Sequence, residues 1–307
     1  MTDLIILGNG MAGMTAALYA KRANLNFKIV GRDAYDFGQI GEAILVENYP
    51  CVPNKSGFDL AVSLHDQLMN MGVEVEEHEI VKVGYKYRLD SGSEKTLLVK
   101  YADGSSDEAK SVIYALGAKH RPLICQGMED AEFHYCALCD GAFFKDKSVA
   151  VIGGGDSAFT QAEYLSKLCK KVYILMCDEN ITASPTTVNR VMNTDNIEIT
   201  KNFPVTRIDK LSNYKIMSDG IDRYFIVDGI FVAIGMSPNS QALDITPWAR
   251  NLNTGEIHGD ENGKTHYPGF FVAGDVREKK VRQSITAAAD GANAVQSVID
   301  YLNSLKG

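Results

Sequence analysis

A chain of 307 residues predicts about two domains, and 45% apolar with 23% charged residues is the composition of an ordinary folded protein rather than a disordered one. A net charge of −8 argues against a broad surface for nucleic acid or for anionic membrane. No apolar run reaches the roughly 18 residues of a membrane span, and cysteines scattered along a chain without a secretory leader fit a reducing compartment, so the expected location is cytoplasmic.

The first segment, "MTDLIILGNGMAGMTAALYA", lacks a basic start, carries Asp3 and is broken by Gly8, Gly10 and Gly13, so it reads as folded structure. Leu4 to Leu7 predicts a strand, Met14 to Arg22 a helix and Phe27 to Val30 a second strand. The "GNGMAG" between strand and helix has the GxGxxG spacing of a dinucleotide site. Gly8 permits the tight turn, Gly10 lets backbone approach a pyrophosphate, and Gly13 allows close packing of helix on strand. The acid expected about 20 residues on is displaced, because the strand ends in Gly31 and Arg32 before Asp33.

Residues 80–112 predict strands and turns, with Asp103-Gly104 a turn signal. The nucleotide pattern returns at "SVAVI" (148–152), "GGGDSA" (153–158), a helix from Phe159 to Leu168 and the strand "KVYIL" (171–175). A second stretch of strands, 204–232, follows it. "VIYALGA" (112–118) and "GIFVAIG" (229–235) predict the crossings between two domains. The last segment predicts a buried strand, Phe270 to Ala273, then Gly274-Asp275 and a long helix from about Arg282-Gln283. Asp275 suits a flavin ribityl chain, and the helix start suits the electron-rich edge of the flavin ring. The fold class expected is α/β, with two Rossmann-like (three-layer ββα) dinucleotide-binding domains, the smaller inserted in the larger. Two such folds in one chain suggest a flavoprotein reductase.

Taken together, "GNGMAG", "VENYP" (46–50), "CALCDG" (136–141), "GGGDSA", "FVAIGMSPN" (231–239) and "AGDVREKKVRQSITAAADG" (273–291) resemble the low-molecular-weight thioredoxin reductases over essentially the whole chain. The resemblance implies an FAD domain at 1–113 and 242–307, an inserted domain at 114–241 carrying the CxxC, and a homodimer. It implies FAD contacts at Gly8, Gly10, Met11, Ala12 and Gly13, at Gly38, Gln39 and Asn48, and at Gly274, Asp275, Arg282, Gln283 and Ser284. Cys139 would face the flavin, Cys136 would attack the disulfide of a thioredoxin-like partner, and Asp140 would give and take the thiol protons. The residues themselves favour redox over zinc for this pair. Zinc takes four ligands, only one CxxC is present, and the histidines at 65, 78, 134, 258 and 266 show no ligand spacing, so no metal is expected. A CxxC at a helix start also has a route to a lowered thiol pKa.

The departures from the family concern the electron donor. NADPH-using relatives carry His-Arg-Arg and a further Arg after the second motif, a pattern that suits a 2′-phosphate. This chain has "ILMCDENITAS", with Met176, Cys177, Asp178 and Thr182 at those positions, and Thr160 and Gln161 replace a pair of glutamates. It is similar in this respect to the ferredoxin-dependent flavin thioredoxin reductases, so reduced ferredoxin is the expected donor. The alternatives are NADH, with Asp178 or Glu179 taking the ribose hydroxyls, and a flavoprotein redox sensor with little turnover. An acidic ferredoxin needs a basic dock, for which Arg277, Lys279, Lys280 and Arg282, or Lys119, His120 and Arg121, are the candidates. Cys51, where relatives have glycine, is expected to be a packing cysteine, with a surface thiol as the alternative. Cys177 has no assigned role.

Overall fold

The computed structural model describes residues 1–52, 55–87 and 95–306. The chain divides into two compact units, Met1–Lys119 with Ser237–Gly307, and His120–Met236. In chain order the first unit begins with β1 (Thr2–Leu7), α1 (Met11–Arg22), β2 (Phe27–Gly31), α2 (Gln39–Glu42), α3 (Gly57–Asn70) and β3 (Val75–Glu77). A meander follows, β4 (Ile80–Tyr87), β5 (Lys95–Tyr101) and β6 (Ser106–Tyr114), and then β7 (Ala118–His120). Of the strands and turns expected over 80–112, the part at 88–94 lies outside the described residues.

The second unit contains β8 (Phe133–His134), α4 (Ala137–Asp140), β9 (Ser148–Ile152), α5 (Asp156–Ser166), β10 (Lys171–Leu175), α6 (Pro185–Met192) and β11 (Ile197–Thr200). It continues with β12 (Arg207–Lys210), β13 (Tyr214–Met217), β14 (Tyr224–Val227) and β15 (Gly229–Val232). The chain returns through β16 (Met236–Pro238), which pairs with β7, and ends in β17 (Phe270–Val272) and α7 (Ser284–Ser304).

In the first unit the sheet runs β3-β2-β1-β6-β5-β4, with β17 alongside β6. β6 has two kinds of neighbour: its first half pairs antiparallel with β5, and Val112 to Tyr114 pair parallel with Phe270 to Val272. Alternation along β1 decides what each face meets. Leu4 and Ile6 pack with Met14, Ala17, Leu60 and Val298 in a helical layer, while Ile5 and Leu7 pack with Val83, Leu97 and Val99 under the meander. That gives helices, parallel sheet and meander as three layers. The second unit repeats the plan, with a parallel sheet β11-β10-β9-β15-β8 and an antiparallel sheet β12-β13-β14. Ala150 and Ile152 of β9 face Phe203, Ile216 and Phe225 across it. No helix among the described residues is long and apolar enough to cross a membrane.

Both motif helices begin earlier than the sequence predicts, α1 at Met11 rather than Met14 and α5 at Asp156 rather than Phe159. The glycine motif does not precede the helix but supplies its first turn.

Candidate functional site

The first motif is built by three close approaches. Gly8 has φ +102, and a Cβ there would lie 2.4 Å from Ala115 O. A Cβ on Gly13 would lie 1.7 Å from Gly8 O, so the turn and the helix behind it fit only with hydrogen in that place. Gly10 caps α1 without a side-chain hydrogen bond, and α1 has no acid in its first turn. The first N–H groups of a twelve-residue helix therefore meet neither a side-chain cap nor a negative charge, which is the donor set a pyrophosphate takes. The same turn brings in the other predicted residues. A Cβ on Gly10 would lie 3.4 Å from Phe37 O, next to Gly38 (φ +63), and Gln39 Nε2 donates to Ala118 O at 3.3 Å. Gly274 has φ +77, and a Cβ there would lie 2.9 Å from Ala12 Cβ, so the C-terminal turn sits on α1. Met11 and Ala12 are buried at that junction. Asn48 Nδ2 donates to Gln283 Oε1 at 2.6 Å, which joins the "VENYP" loop to the start of α7 beside Ser284. These residues fit a bound dinucleotide.

Two residues missed at the sequence level shape this cradle. Asn9 is buried, and its Nδ2 donates to Asp33 O (2.8 Å) and Ala34 O (3.2 Å), fixing the loop after β2. Asp290 of α7 accepts from Gly274 N at 3.0 Å and takes Arg277 at 2.8 Å and Lys279 at 3.1 Å. Lys279 Nζ also lies 3.0 Å from Asp275 Oδ1. Of the proposed dock of Arg277, Lys279, Lys280 and Arg282, this removes Arg277 and Lys279. The side chains of Arg277 and Lys279 are only 11% and 6% exposed, and Arg282 pairs with Glu256. Arg277 and Lys279 are held internally around the Gly274-Asp275 turn, while Lys280 and Arg282 are exposed.

The redox pair lies in the second unit. Cys136 and Cys139 are joined as a disulfide with Cα atoms 5.3 Å apart. Cys136 caps α4, and its Sγ accepts from Cys139 N at 3.1 Å. That helix is a single turn running into a 3-10 turn at Gly141–Phe144, so the local N–H of Cys139, not a long helix dipole, is what acts on Cys136. Asp140 Oδ2 lies 2.9 Å from His134 Nδ1.

The second glycine motif repeats the backbone of the first. Gly153 has φ +143, and a Cβ there would lie 2.2 Å from Ala233 O. Met176 packs on Gly154, the position that Asn9 holds in the first motif, so that a Cβ there would meet its Cε at 2.8 Å. A Cβ on Gly155, the counterpart of Gly10, would have its nearest neighbour, Thr182 Oγ1, at 3.4 Å. Thr182 donates to Gly154 O from its backbone N at 2.9 Å and from its hydroxyl at 3.3 Å. Asp156, in the first turn of α5, accepts from Ser184 N at 2.7 Å. The two acids proposed for a ribose are engaged as well. Glu179 takes Lys201 and Asn202, and Asp178 Oδ2 accepts from Cys177 Sγ at 3.1 Å. Gln161 is buried and bonded to Ser157.

The remaining cysteines differ sharply in environment. Cys51 does not pack as expected: it is exposed, with φ +66, the left-handed conformation that glycine occupies at lowest cost. Burial pushes the Cys169 thiol up to about 11, and the hydrogen bond to Asp178 raises that of Cys177. A raised pKa keeps the reactive thiolate scarce below it. Iodoacetamide on the native protein at about pH 8 is therefore expected to label Cys51 readily, Cys177 slowly and Cys169 hardly at all. Equal labelling of Cys51 and Cys169 by mass spectrometry would contradict this.

Comparison with known proteins places these observations. The family model for pyridine nucleotide-disulphide oxidoreductases matches residues 2–292. The thioredoxin reductase of Listeria innocua is 35% identical over 99% of this chain and 95% of its own length. The crystal structure of the Lactococcus lactis thioredoxin reductase superposes with a TM-score of 0.89 at 30% identity, covering 99% of this chain and all of that one. A ferredoxin-flavin thioredoxin reductase from Clostridium acetobutylicum gives a TM-score of 0.52 at 22% identity over 99% of this chain and 98% of that one, a likeness of fold alone.

Proposed function

Because the chain belongs to the thioredoxin reductases of the pyridine nucleotide-disulphide oxidoreductase family, we propose that it is an FAD-dependent reductase of a thioredoxin-like protein that takes its electrons from reduced ferredoxin. The observation that carries the reductase reading is the bridged Cys136–Cys139 pair with Asp140 directly behind it, in a chain whose other unit holds a dinucleotide cradle. Bound FAD supplies the electron pair that opens this disulfide. The chain's own residues do the rest. The N-terminus of α1 and the turns at Gly38 and Gly274 hold the cofactor, and Asp290 keeps the Gly274-Asp275 turn in place. Cys139 is the sulfur that receives electrons from the cofactor, Cys136 is the nucleophile toward the partner, and Asp140 carries protons to and from the thiols. The chain works as a homodimer in the cytoplasm.

The donor assignment rests on the second glycine motif. A pyridine dinucleotide takes an uncharged helix start and an acid free for its ribose. Here α5 carries Asp156 in its first turn, Glu179 is engaged by Lys201 and Asn202, and Met176, Cys177 and Asp178 follow the strand. No arginine fork for a 2′-phosphate replaces them. Ferredoxin suits the energetics, since about −400 mV against about −270 mV for thioredoxin is roughly 6 kcal/mol downhill for two electrons. NADH remains the second reading, favoured by Asp178 at the rim of the site.

The deciding experiment is anaerobic absorbance at ~450 nm on the purified holoprotein, mixed in turn with NADPH, NADH and reduced ferredoxin, with thioredoxin present. Bleaching by ferredoxin alone, with new thioredoxin thiols, is expected. Rapid bleaching by NADH moves the function to an NADH-dependent reductase, and rapid bleaching by NADPH rejects the reading of the second motif as a lost NADPH site.

A further inference from the structure

We propose that His134 is a positioning residue for Asp140: it orients the carboxylate behind the dithiol and shares the proton that this carboxylate handles. The proposal rests on the reading of Asp140 as the proton carrier of the pair, and its test separates the two.

The ring is held by packing on both sides. His134 closes the short strand β8 against β15, in register with Phe231. Its centroid lies 5.3 Å from that of Phe231 and 4.9 Å from that of Phe144, so two phenyl rings fix its plane. The His134 side chain is 12% exposed and that of Asp140 33%. Nδ1 is thereby aimed at Asp140 Oδ2, 2.9 Å away. An ionised carboxylate only accepts, so Nδ1 carries the proton of this bond while Asp140 is charged. Few other groups compete for the ring. Lys147 lies over Phe144 and donates to Phe143 O, and Asp228, before β15, accepts from Ser148 N and Asn213. Tyr164 of α5 stands beside Gly141, Tyr135 is stacked with His120, and Glu132 flanks β8.

The chemistry balances with the pair as lender. When Cys136 attacks the partner's disulfide, the S–S bond of the partner breaks and its leaving sulfur takes a proton from Asp140 and His134. When Cys139 then closes on Cys136, the mixed disulfide breaks, the second partner sulfur leaves, and the Cys139 proton returns to the pair. The proton that the Cys136 thiol gives up on attack is held by the pair and passes to the second partner sulfur as that sulfur leaves. Two thiols on this chain become a disulfide, the partner's disulfide becomes two thiols, and the pair ends as it began.

The sign of the effect follows from the charges. A proton shared between the ring and Asp140 offsets the carboxylate's negative charge, so thiolate at the dithiol persists to lower pH than beside a bare carboxylate. Without Asp140 the ring has no carboxylate to share that proton with.

The test is the pH profile of iodoacetamide alkylation of Cys136 and Cys139 in the dithiothreitol-reduced holoprotein, read by mass spectrometry. His134→Asn keeps an N–H near the Nδ1 position but does not titrate. His134→Phe keeps the ring packing but loses the donor, and retained flavin absorbance shows that each variant is folded. Both are expected to alkylate about three- to tenfold more slowly than wild type at about pH 5.5. His134→Asn is expected to match wild type at about pH 8, where its amide N–H can replace the ring's hydrogen bond to the carboxylate. In an Asp140→Asn background, His134→Asn should change nothing. If the His134 variants superimpose on wild type while Asp140→Asn moves the profile, this proposal falls and the reading of Asp140 stands. If Asp140→Asn leaves the profile unmoved, the reading of Asp140 falls with it. An undiminished His134 effect in the Asp140→Asn background would mean that the ring acts on the thiols directly, which also overturns the proposal.

Discussion

Replacing either Cys136 or Cys139 by serine is expected to lower thioredoxin reduction at least about 1,000-fold while leaving the protein yellow. The two electrons leave this chain only by closing a disulfide, and a single remaining thiol cannot close one. The loss is not one of folding. A cross-link that closes so short a loop is worth about 2 kcal/mol by chain entropy, against about 4.7 for a hundred-residue loop. The FAD cradle belongs to the other unit and keeps its glycine contacts. The variants should still differ in one way. Cys139→Ser leaves the Cys136 nucleophile without a resolving thiol, so it is expected to trap its partner as a mixed disulfide on a non-reducing gel, whereas Cys136→Ser traps little. Turnover at the wild-type rate in both variants would remove the dithiol from the pathway.

Gly13→Val is expected to cost about 3 kcal/mol or more and to strip the protein of FAD. The position gives a new Cβ 1.7 Å from Gly8 O and 2.8 Å from Gly8 C, both of them backbone atoms in the turn that faces the cofactor. No rotamer relieves a clash with backbone, so α1 must move away from β1. Movement in the other direction is blocked, because α7 already lies so close that a Cβ on Gly291 would sit 2.2 Å from Ala12 O. Gly104→Ala is the comparison: φ there is +86, yet nothing lies within 4 Å. It is expected to cost only about 1 kcal/mol of backbone strain and to keep full flavin. The two are compared by flavin absorbance per protein and by urea melts. Full FAD content in Gly13→Val would contradict the packing account.

How much of this was legible in the sequence depended on how local the deciding physics was. The strand–glycine–helix units were readable because a tight turn, a helix start and a buried strand each leave a mark within a few residues. The CxxC pair was readable for the same reason. The helix α3 was signalled but passed over: Ser56 accepts from Asp59 N at 3.0 Å, which is the serine-and-acid spacing of a helix start. Arg277 and Lys279 were misread because a row of charges looks like surface until its partners are known. Their partner Asp290 lies on a helix that only the fold brings back. His134 was weighed for metal spacing alone, and its use depends on a ring sandwich between β8, β15 and the turn after α4. Met176 was recognised as a lost basic position. That its side chain then packs on Gly154 is a packing fact that no pattern of letters carries.

The double pairing of β6 has a consequence for how the chain is born. Val112 to Tyr114 wait for Phe270 to Val272, and between the two the ribosome makes the whole of the second unit, whose sheets find all their partners within His120–Met236. The inserted unit therefore closes first, and the first unit stays open along one edge of its central strand until almost the end of synthesis. For that interval an apolar strand edge is unsatisfied in the cell, which makes the cofactor-binding half, though it begins first, the half that most needs protection from aggregation before release.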